Sequence, residues 1–422
     1  MPRRKPRRGV ETSASGGRHV PVLLNQVLYV LSPKDGESYV DATFGAGGYS
    51  RAILDAAQCR VTAFDRDPTA VAGAAEMLAQ YGERLNLLQL PFGELLNLSS
   101  PDAEAGFAGA FDAVVFDLGV SSMQLDEPDR GFSFQADGPL DMRMESLGLL
   151  NTAQARVEDG SLNTRQAGVE GGLLNTAQAR VEGGSQEQSS IDGPSLLSPG
   201  GDGNPPNMGL PNVGAEQNAQ GLSAADVVNT FEEADLADII YRLGEEKRSR
   251  AIARAIVARR AEEPFSRTLD LANLVQKVLG KGPPGRHPAT RTFQALRMFV
   301  NDELGQLVAG LAGAERALKP GGRLVVVTFH SLEDRIVKRF INSRCGKTEG
   351  VSRHMPAPTA PKHEPSLKII NSRSLTSSKA ELDANPRARS ARLRSAVRTD
   401  AAAWPLIDAE AAEFGVPVLR AK

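Results

Sequence analysis

The chain has 422 residues and a net charge of −2, which is long enough for about two domains and a large buried core. Only two cysteines are present, Cys59 and Cys345, and the five histidines form no paired ligand motif, so the sequence argues against a metal site such as zinc. It has neither an apolar run of roughly 20 residues that could span a bilayer nor the apolar segment of a secretory signal, and we expect a soluble cytoplasmic protein.

A glycine-rich turn follows the first predicted strand. Residues 40–50 read VDATFGAGGYS, in which a strand ending at Asp41 precedes the glycines and a helix follows from Tyr49 to Ala57. Strand, glycine turn and helix form the first unit of a Rossmann-like, doubly wound α/β sheet, whose ligand lies beyond the carboxyl end of the strand. Because Ser50 replaces the third glycine of the dinucleotide fingerprint, the turn favours a nucleotide-type cofactor other than nicotinamide, or simply a tight turn.

The next predicted strand, at residues 60–64, also ends in an acid. Asp65 is placed to accept hydrogen bonds from ribose hydroxyls, as acids do in other doubly wound sheets. Asp67 precedes a proline and reads as a helix N-cap. A third strand at residues 85–90 leads to Phe92, which could stack on an adenine ring or belong to the core.

Residues 111–122, FDAVVFDLGVSS, predict a buried strand that ends at Asp117. A carboxylate at this edge of the sheet could accept a hydrogen bond or a proton from a substrate amine; the alternative is a capping or turn acid. The loop at residues 130–144 contains phenylalanines and arginines that could hold a base and phosphate, or could pack on the domain.

One 12-residue unit is repeated three times, at residues 150–161, 162–173 and 174–185. Its low apolar content and the Ser/Gly/Pro-rich stretch after it predict a disordered insertion at residues 144–221, although the repeats could form short helices.

Helical periodicity returns at Ser223, where Asp226 three residues later resembles a capping box. The pattern predicts helices at residues 223–244, 245–261 and 268–280, which suggests a small helical domain. The middle helix carries a basic set that could face phosphate or only water: Lys247, Arg248, Arg250, Arg254, Arg259 and Arg260.

The last third of the chain predicts a long helix to Leu318, a K-P-G-G turn at residues 319–322 and a buried strand at residues 323–329. His330 follows this strand at the same edge, either as an acid or base or, as we favour, with its backbone near the substrate. Residues 385–390, NPRARS, form with Arg392 and Arg394 a basic segment suited to phosphate.

Nine motifs of this chain resemble, in order, those of the bacterial 16S ribosomal RNA cytosine-N(4)-methyltransferase family, the MraW or RsmH type. They are VDATFGAGGYS, FDRDP, FDLGVSS, RGFSFQADGPLDMRM, GEEKRSRAIARAIV, HPATRTFQALR, LKPGGRL, FHSLEDRIVKRF and NPRARS. The resemblance implies a class I S-adenosylmethionine-dependent methyltransferase with an inserted helical substrate domain.

The resemblance also implies which residues bind the cofactor: Gly47, Gly48, Tyr49, Asp65, Phe92, Asp117 and Gln124. The catalytic residue would be Asp117. The family usually has histidine where this chain has Tyr49, so a side-chain contact at that position is in doubt, whereas a backbone contact is not.

The resulting domain scheme is a basic disordered tail (1–17), a methyltransferase core in two parts (18–143 and 286–398), the repeat insertion (144–221), a helical substrate-recognition domain (222–285) and a C-terminal tail (399–422). The expected activity is methylation of a cytidine N(4) in 16S ribosomal RNA of the small subunit. The alternatives are an RNA-binding assembly factor with a vestigial cofactor pocket and, from the fold alone, a nicotinamide-dependent oxidoreductase.

Overall fold

The computed structural model describes residues 21–145, 221–282, 287–347, 363–406, 408–417 and 419. The predicted basic tail and nearly all of the repeat insertion lie outside the described residues, and those two predictions stay untested. Among the described helices, none is both long and apolar enough to cross a membrane.

Seven strands form one sheet in the order β3-β2-β1-β4-β5-β7-β6. Strands β1 to β5 are parallel, and β7 runs antiparallel to both β5 and β6. The strands are β1 (Ser38–Asp41), β2 (Arg60–Phe64), β3 (Leu85–Leu88), β4 (Phe111–Asp117), β5 (Leu318–Thr328), β6 (Leu367–Ile369) and β7 (Arg392–Arg398). The α/β fold class predicted from the sequence is confirmed.

The helices in the first part of the chain are α1 (Leu24–Leu31), α2 (Gly48–Ala56), α3 (Pro68–Gly73), α4 (Ala75–Tyr81), α5 (Leu95–Leu98) and α6 (Ser122–Asp126). After the insertion come α7 (Ala224–Thr230), α8 (Glu233–Arg242), α9 (Ser249–Arg260), α10 (Thr268–Leu279), α11 (Thr290–Val300), α12 (Glu303–Ala317), α13 (Ser331–Arg344), α14 (Lys379–Ala384) and α15 (Asp408–Phe414).

The central strands bury apolar side chains on both faces of the sheet. In β4, Ala113 and Val115 belong to one apolar cluster, and Val114 and Phe116 belong to the other. This alternation follows from the period of two along a strand. The cluster that contains Phe116 continues into the helical segment through Ile256 of α9, so the helices after the insertion pack on the same core as the sheet.

Two predicted helices are each split in two. Phe231 adopts an extended backbone between α7 and α8, and its ring packs edge-on against Phe299. Asp302, at φ +46°, separates α11 from α12. Just before it, the Asn301 side chain bonds the backbone of Met142 and Met144. Contacts distant in the sequence thus interrupt a continuous helical pattern.

The K-P-G-G segment at residues 319–322 lies inside β5 and not ahead of it. Phe111 pairs with Leu318 and Ala113 pairs with Arg323, so the extra residues of β5 bulge out of the ladder. Two capping predictions are confirmed: Ser223 and Asp226 form a capping box, and Asp67 caps α3 with proline at the first helical position.

Candidate active site

Three acids end neighbouring parallel strands at the carboxyl edge of the sheet. Asp41 ends β1, Asp65 follows β2 and Asp117 ends β4, and β1 lies between the other two strands. Burial raises the pKa of Asp65 and of Asp117, and the charge of Asp41 adds to both effects. The three carboxyl groups therefore converge at one edge, as the sequence predicts.

Asp41 is fully buried and braces the glycine turn. Its Oδ2 accepts hydrogen bonds from the Ser50 N–H at 3.1 Å and the Ser50 hydroxyl at 2.7 Å, and its Oδ1 accepts one from the Thr43 N–H at 3.2 Å. Burial raises the pKa of Asp41, and these hydrogen bonds oppose the shift. The serine that replaces the third fingerprint glycine thus anchors the turn to the first strand.

The glycines of this turn meet two different demands. Gly47 is the N-cap of α2 at φ +73°, a left-handed backbone that favours glycine. Gly48 is needed for close packing, because a Cβ there would lie 2.3 Å from Cγ of Pro21. Gly45 also has a left-handed backbone, at φ +53°, and its N–H donates to Oδ2 of Asp65 at 2.7 Å. The second acid therefore fixes the first turn.

Asp65 is half-buried and keeps acceptor capacity beyond its internal contacts. Its Oδ1 accepts the Asp67 N–H at 2.8 Å, and burial raises the pKa of Asp65 to about 6 despite the two backbone hydrogen bonds. A carboxylate offers about four lone-pair sites, and these contacts fill only two of them. Asp65 can thus accept further hydroxyl donors where a ribose would lie.

Tyr49 has its side chain in the apolar core and not at the edge. It is 3% exposed, and its hydroxyl donates to the carbonyl oxygen of Val22, just before α1. Burial raises the pKa of Tyr49 well above its usual range. A contact between Tyr49 and a cofactor would therefore use the backbone. A backbone contact does not depend on whether the residue is tyrosine or histidine.

Asp117 is the acid with an unused oxygen. Its backbone N–H donates to Oγ1 of Thr43 at 2.7 Å, which joins the loops after β1 and β4. Its Oδ1 is shielded from solvent and accepts no hydrogen bond from any described residue. Burial, followed by the charges of Asp41 and Glu333, raises the pKa of Asp117 well above its usual value. A buried acceptor without a donor is costly, and a ligand that donates a hydrogen bond to this oxygen would remove that cost.

Phe92 and Gln124 lie close to this edge, but internal contacts engage both. The Phe92 ring is half-buried and packs edge-on against Phe116, with centroids 5.7 Å apart. Gln124 is buried, and its Oε1 accepts the Ser121 N–H at 3.0 Å while its Nε2 donates to Asp67 at 2.7 Å. Their roles in binding a cofactor remain predictions.

The contacts of the loop at residues 130–144 favour the second of its two alternatives, in which the loop packs on the domain. Arg130 lies 2.9 Å from Asp67 and donates to the Met144 carbonyl oxygen at 2.9 Å. Phe132 is only 6% exposed, and Phe134 packs on Phe293. Arg130 joins this loop to the start of α3 and is thus a structural link.

His330 caps α13 and pairs with an acid. Its Nδ1 accepts the Glu333 N–H at 3.4 Å, and its Nε2 lies 2.8 Å from Oε1 of Glu333. Glu333 is buried, and although burial alone would raise its pKa, the His330 and Arg297 charges and several hydrogen bonds lower it. Glu303 lies in the same cluster, but Arg297 binds both its oxygens, at 2.6 and 2.8 Å. Internal pairing thus accounts for these acids.

The predicted basic surface on α9 is smaller than its sequence suggests. Four cations are exposed in the first half of the helix or just before it: Lys247, Arg248, Arg250 and Arg254, of which Arg254 lies 3.6 Å from Glu233 but stays mostly in solvent. Arg259 instead pairs with Glu263, and Arg260 donates to the carbonyl oxygens of Val228 and Phe231. Only the amino-terminal half of the basic set is therefore available to phosphate.

The basic segment near the C-terminus is used partly inside the fold. Arg394 binds both carboxylate oxygens of Asp334 at 2.7 and 2.9 Å, and Arg398 is buried and bonds the Glu315 carbonyl oxygen. Arg389 and Arg392 are exposed. The prediction of one compact phosphate-binding segment was therefore wrong for Arg394.

The sequence of the whole chain was compared with protein families and with known proteins. The chain matches the model of the MraW methylase family over residues 16–163 and 216–399. It is 46% identical over 406 residues to the ribosomal RNA small subunit methyltransferase H of Parvibaculum lavamentivorans, covering 96% of each chain. It is 47% identical to the protein of the same name from Nitrobacter winogradskyi, covering 92% of each.

Solved structures overlap less. An rRNA methylase from Streptococcus thermophilus is 21% identical, covers 22% of this chain and 46% of its own, and has a TM-score of 0.18, a likeness too slight to carry an argument. The family model and the relatives, by contrast, include the glycine turn, the three strand-end acids and the helices after the insertion. The chain therefore belongs to the MraW methylase family.

Proposed function

We propose that this protein transfers the methyl group of S-adenosylmethionine to the exocyclic N(4) amine of a cytidine in 16S ribosomal RNA, in the cytoplasm. The observation that carries the proposal is Oδ1 of Asp117, a shielded acceptor to which no described residue donates, at the edge where β1, β2 and β4 end. Relatives that share nearly the whole chain carry the name ribosomal RNA small subunit methyltransferase H.

The carboxyl edge suits S-adenosylmethionine by the chemistry of its donor set. The cofactor carries a sulfonium cation and a ribose with two hydroxyls. The carboxylates at this edge would attract the cation and would accept hydrogen bonds from the hydroxyls. We assign the ribose to Asp65, which retains free lone pairs, and the methionine portion to the backbone of Gly47, Gly48 and Tyr49 with Asp117. Phe92 and Gln124 would close the pocket. When bound, the cofactor supplies an activated methyl group.

Asp117 would act on the other reactant, the cytosine amine. The amine lone pair is delocalised into the ring, so an acceptor that orients the N–H group directs the nitrogen toward the methyl donor. The bound cofactor would supply its methyl carbon to the amine nitrogen and keep the sulfur electron pair, and the amine would give up one proton. Burial raises the pKa of Asp117, so its carboxylate is a stronger acceptor for that proton than a solvent-exposed aspartate.

The target cytidine has to leave its stack before its amine can reach a recessed carboxylate, which favours an accessible loop of the folded RNA. The exposed cations Lys247, Arg248, Arg250 and Arg254 would contact the phosphate backbone, which positions the RNA without reading its sequence. We propose the small ribosomal subunit as the natural substrate.

The test is methyl transfer from radiolabelled S-adenosylmethionine to unmethylated small subunits, with the product mapped by mass spectrometry. Wild-type protein should yield N(4)-methylcytidine in 16S RNA. Asp117→Ala should lower turnover by about 10²–10⁴-fold, with at most a modest loss of cofactor affinity. Asp102→Ala, which removes an exposed acid before β4 at the opposite edge, is the matched control and should be fully active. Wild-type turnover by Asp117→Ala would refute the role of this acid.

A further inference from the structure

The carboxyl edge carries an aromatic side chain that the proposed reaction has not used. Phe329 follows directly on β5 and is half-buried. Asp117 pairs with Val327 across the parallel strands β4 and β5, so Phe329 stands two positions beyond the partner of the acid. Val327 belongs to the same apolar cluster as Val115, and Phe329 packs against that cluster. Because alternate residues share a face, Asp117 and Phe329 lie on the same face of the sheet.

Gly119, in the loop that follows Asp117, lies next to the ring and has no side chain to cover it. It is exposed, has φ +106°, and a Cβ there would lie 3.6 Å from Cδ2 of Phe329. Any larger side chain at this position would cover the ring. Asp117 at the end of β4 and Gly119 two residues later thus place an acceptor that no described residue satisfies, and an open position, beside the same aromatic group.

Hydrogen bonds to the carboxylate of Glu333 hold the turn that carries Phe329. Oε2 of the buried Glu333 accepts the Phe329 N–H at 2.8 Å and the His330 N–H at 3.3 Å. His330 in turn lies 2.8 Å from the other oxygen of Glu333. These contacts hold the backbone from which the ring projects, and an ordered backbone limits the conformational entropy that is lost when a ligand binds.

The same turn is joined to the exposed cations of the helical segment. The Ser331 hydroxyl donates to Glu245 at 2.7 Å, and Arg335 donates to the other oxygen of Glu245 at 3.1 Å. Glu245 is followed within a few residues by the exposed Lys247 and Arg248. A nucleotide whose base lies at Phe329 would therefore have cations nearby for its phosphates.

We propose that Phe329 is the surface on which the target pyrimidine stacks when its amine reaches Asp117. This inference rests on the proposed function, because it names the subsite for the base that is methylated. A base removed from its helix loses its stacking partners, and an aromatic side chain replaces one of them. Asp117 would accept from the amine at the rim of the base while Phe329 covers a face of the ring.

The test compares Phe329→Leu with Phe329→Tyr in the full-length protein. Leucine keeps apolar bulk but removes the aromatic face, whereas tyrosine keeps that face. With unmethylated small subunits, we expect Phe329→Leu to lower kcat/KM by about 5- to 150-fold, the range that a base–aromatic stack accounts for. Phe329→Tyr should stay within about threefold of wild type, and the S-adenosylmethionine Kd should not change in either variant.

Phe107→Leu is the matched control, because Phe107 is also half-buried and precedes β4 at the opposite edge of the sheet. It should leave kcat/KM unchanged. The inference is overturned if Phe329→Leu keeps wild-type kcat/KM, if Phe329→Tyr loses as much as Phe329→Leu, or if cofactor affinity falls in parallel with RNA turnover. An inactive wild-type protein would instead contradict the proposed function itself.

Discussion

Replacement of Gly47 by alanine should destabilise the protein through two separable effects. Gly47 has φ +73°, and a left-handed backbone costs a residue with a Cβ roughly 1–2 kcal/mol. The new methyl group would lie 2.4 Å from Sδ of Met77 and 2.8 Å from Cζ of Phe44, so the core has to shift. Overpacking of this kind costs about 1–3 kcal/mol. The sum predicts that Gly47→Ala lowers the free energy of unfolding by about 2–5 kcal/mol.

Gly36 provides the control for the backbone effect alone. It has φ +80°, close to that of Gly47, but a Cβ there would meet nothing within 4 Å among the described residues. Gly36→Ala should therefore cost only about 1–2 kcal/mol. The difference between the two variants isolates the overlap with Met77 and Phe44.

Equilibrium urea unfolding followed by circular dichroism measures both variants, with the m-value as a check that the unfolding transition itself is unchanged. Titration with S-adenosylmethionine adds a second readout, since Gly47 begins α2 at the proposed cofactor site and Gly36 precedes β1 at the other edge. Gly47→Ala should weaken binding, and Gly36→Ala should not. Equal losses of stability in the two variants would refute the steric argument.

Three further predictions concern named carboxylates. Because burial raises the pKa of Asp65 to about 6, the carboxylate that would accept hydrogen bonds from the ribose becomes protonated as the pH falls through that value. Cofactor affinity, measured by calorimetric titration, should therefore weaken about tenfold between pH 7.5 and pH 5. Asp65→Asn should remove this dependence of affinity on pH. Glu315→Ala removes the carboxylate that lies 2.9 Å from the guanidinium of the fully buried Arg344 and should cost about 3–5 kcal/mol in urea unfolding, of which Arg344→Met on that background should recover most. Glu245→Ala removes a half-exposed contact to Ser331 and should leave the melting temperature nearly unchanged while it raises KM for the small subunit, not for the cofactor.

Much of the sheet could be predicted because three of its five parallel strands, β1, β2 and β4, are short apolar runs that end in an acid or directly before one. The runs before Asp41, Asp65 and Asp117 predict the strands, and the rule that ligands lie beyond the carboxyl ends predicts the convergence of the acids. Their adjacency needs only the order of β2, β1 and β4, which is part of the strand order 3-2-1-4-5 of doubly wound sheets.

The uses of the arginines could not be predicted, because their partners lie far away in the sequence. Arg130 binds the N-cap acid of α3, Arg394 binds Asp334 of α13, and Arg398 bonds the backbone of α12. A run of basic residues reveals charge, but it does not reveal which guanidinium groups the fold will bury. The position of Phe329 beside Asp117 could not be predicted for the same reason, because the sequence shows Phe329 only as the end of an apolar strand.

The three acids differ in what they can do because their acceptor capacity is filled to different degrees. Asp41 accepts three hydrogen bonds of at most 3.2 Å from the glycine turn, so both of its oxygens stabilise that turn. Asp65 receives one backbone hydrogen bond on each oxygen and retains room for hydroxyl donors. Asp117 alone keeps a shielded oxygen that no described residue satisfies. Since a substrate amine needs an acceptor that is both free and desolvated, the position of that unpaired oxygen, and not the presence of an acid at a strand end, identifies Asp117 as the catalytic residue we propose.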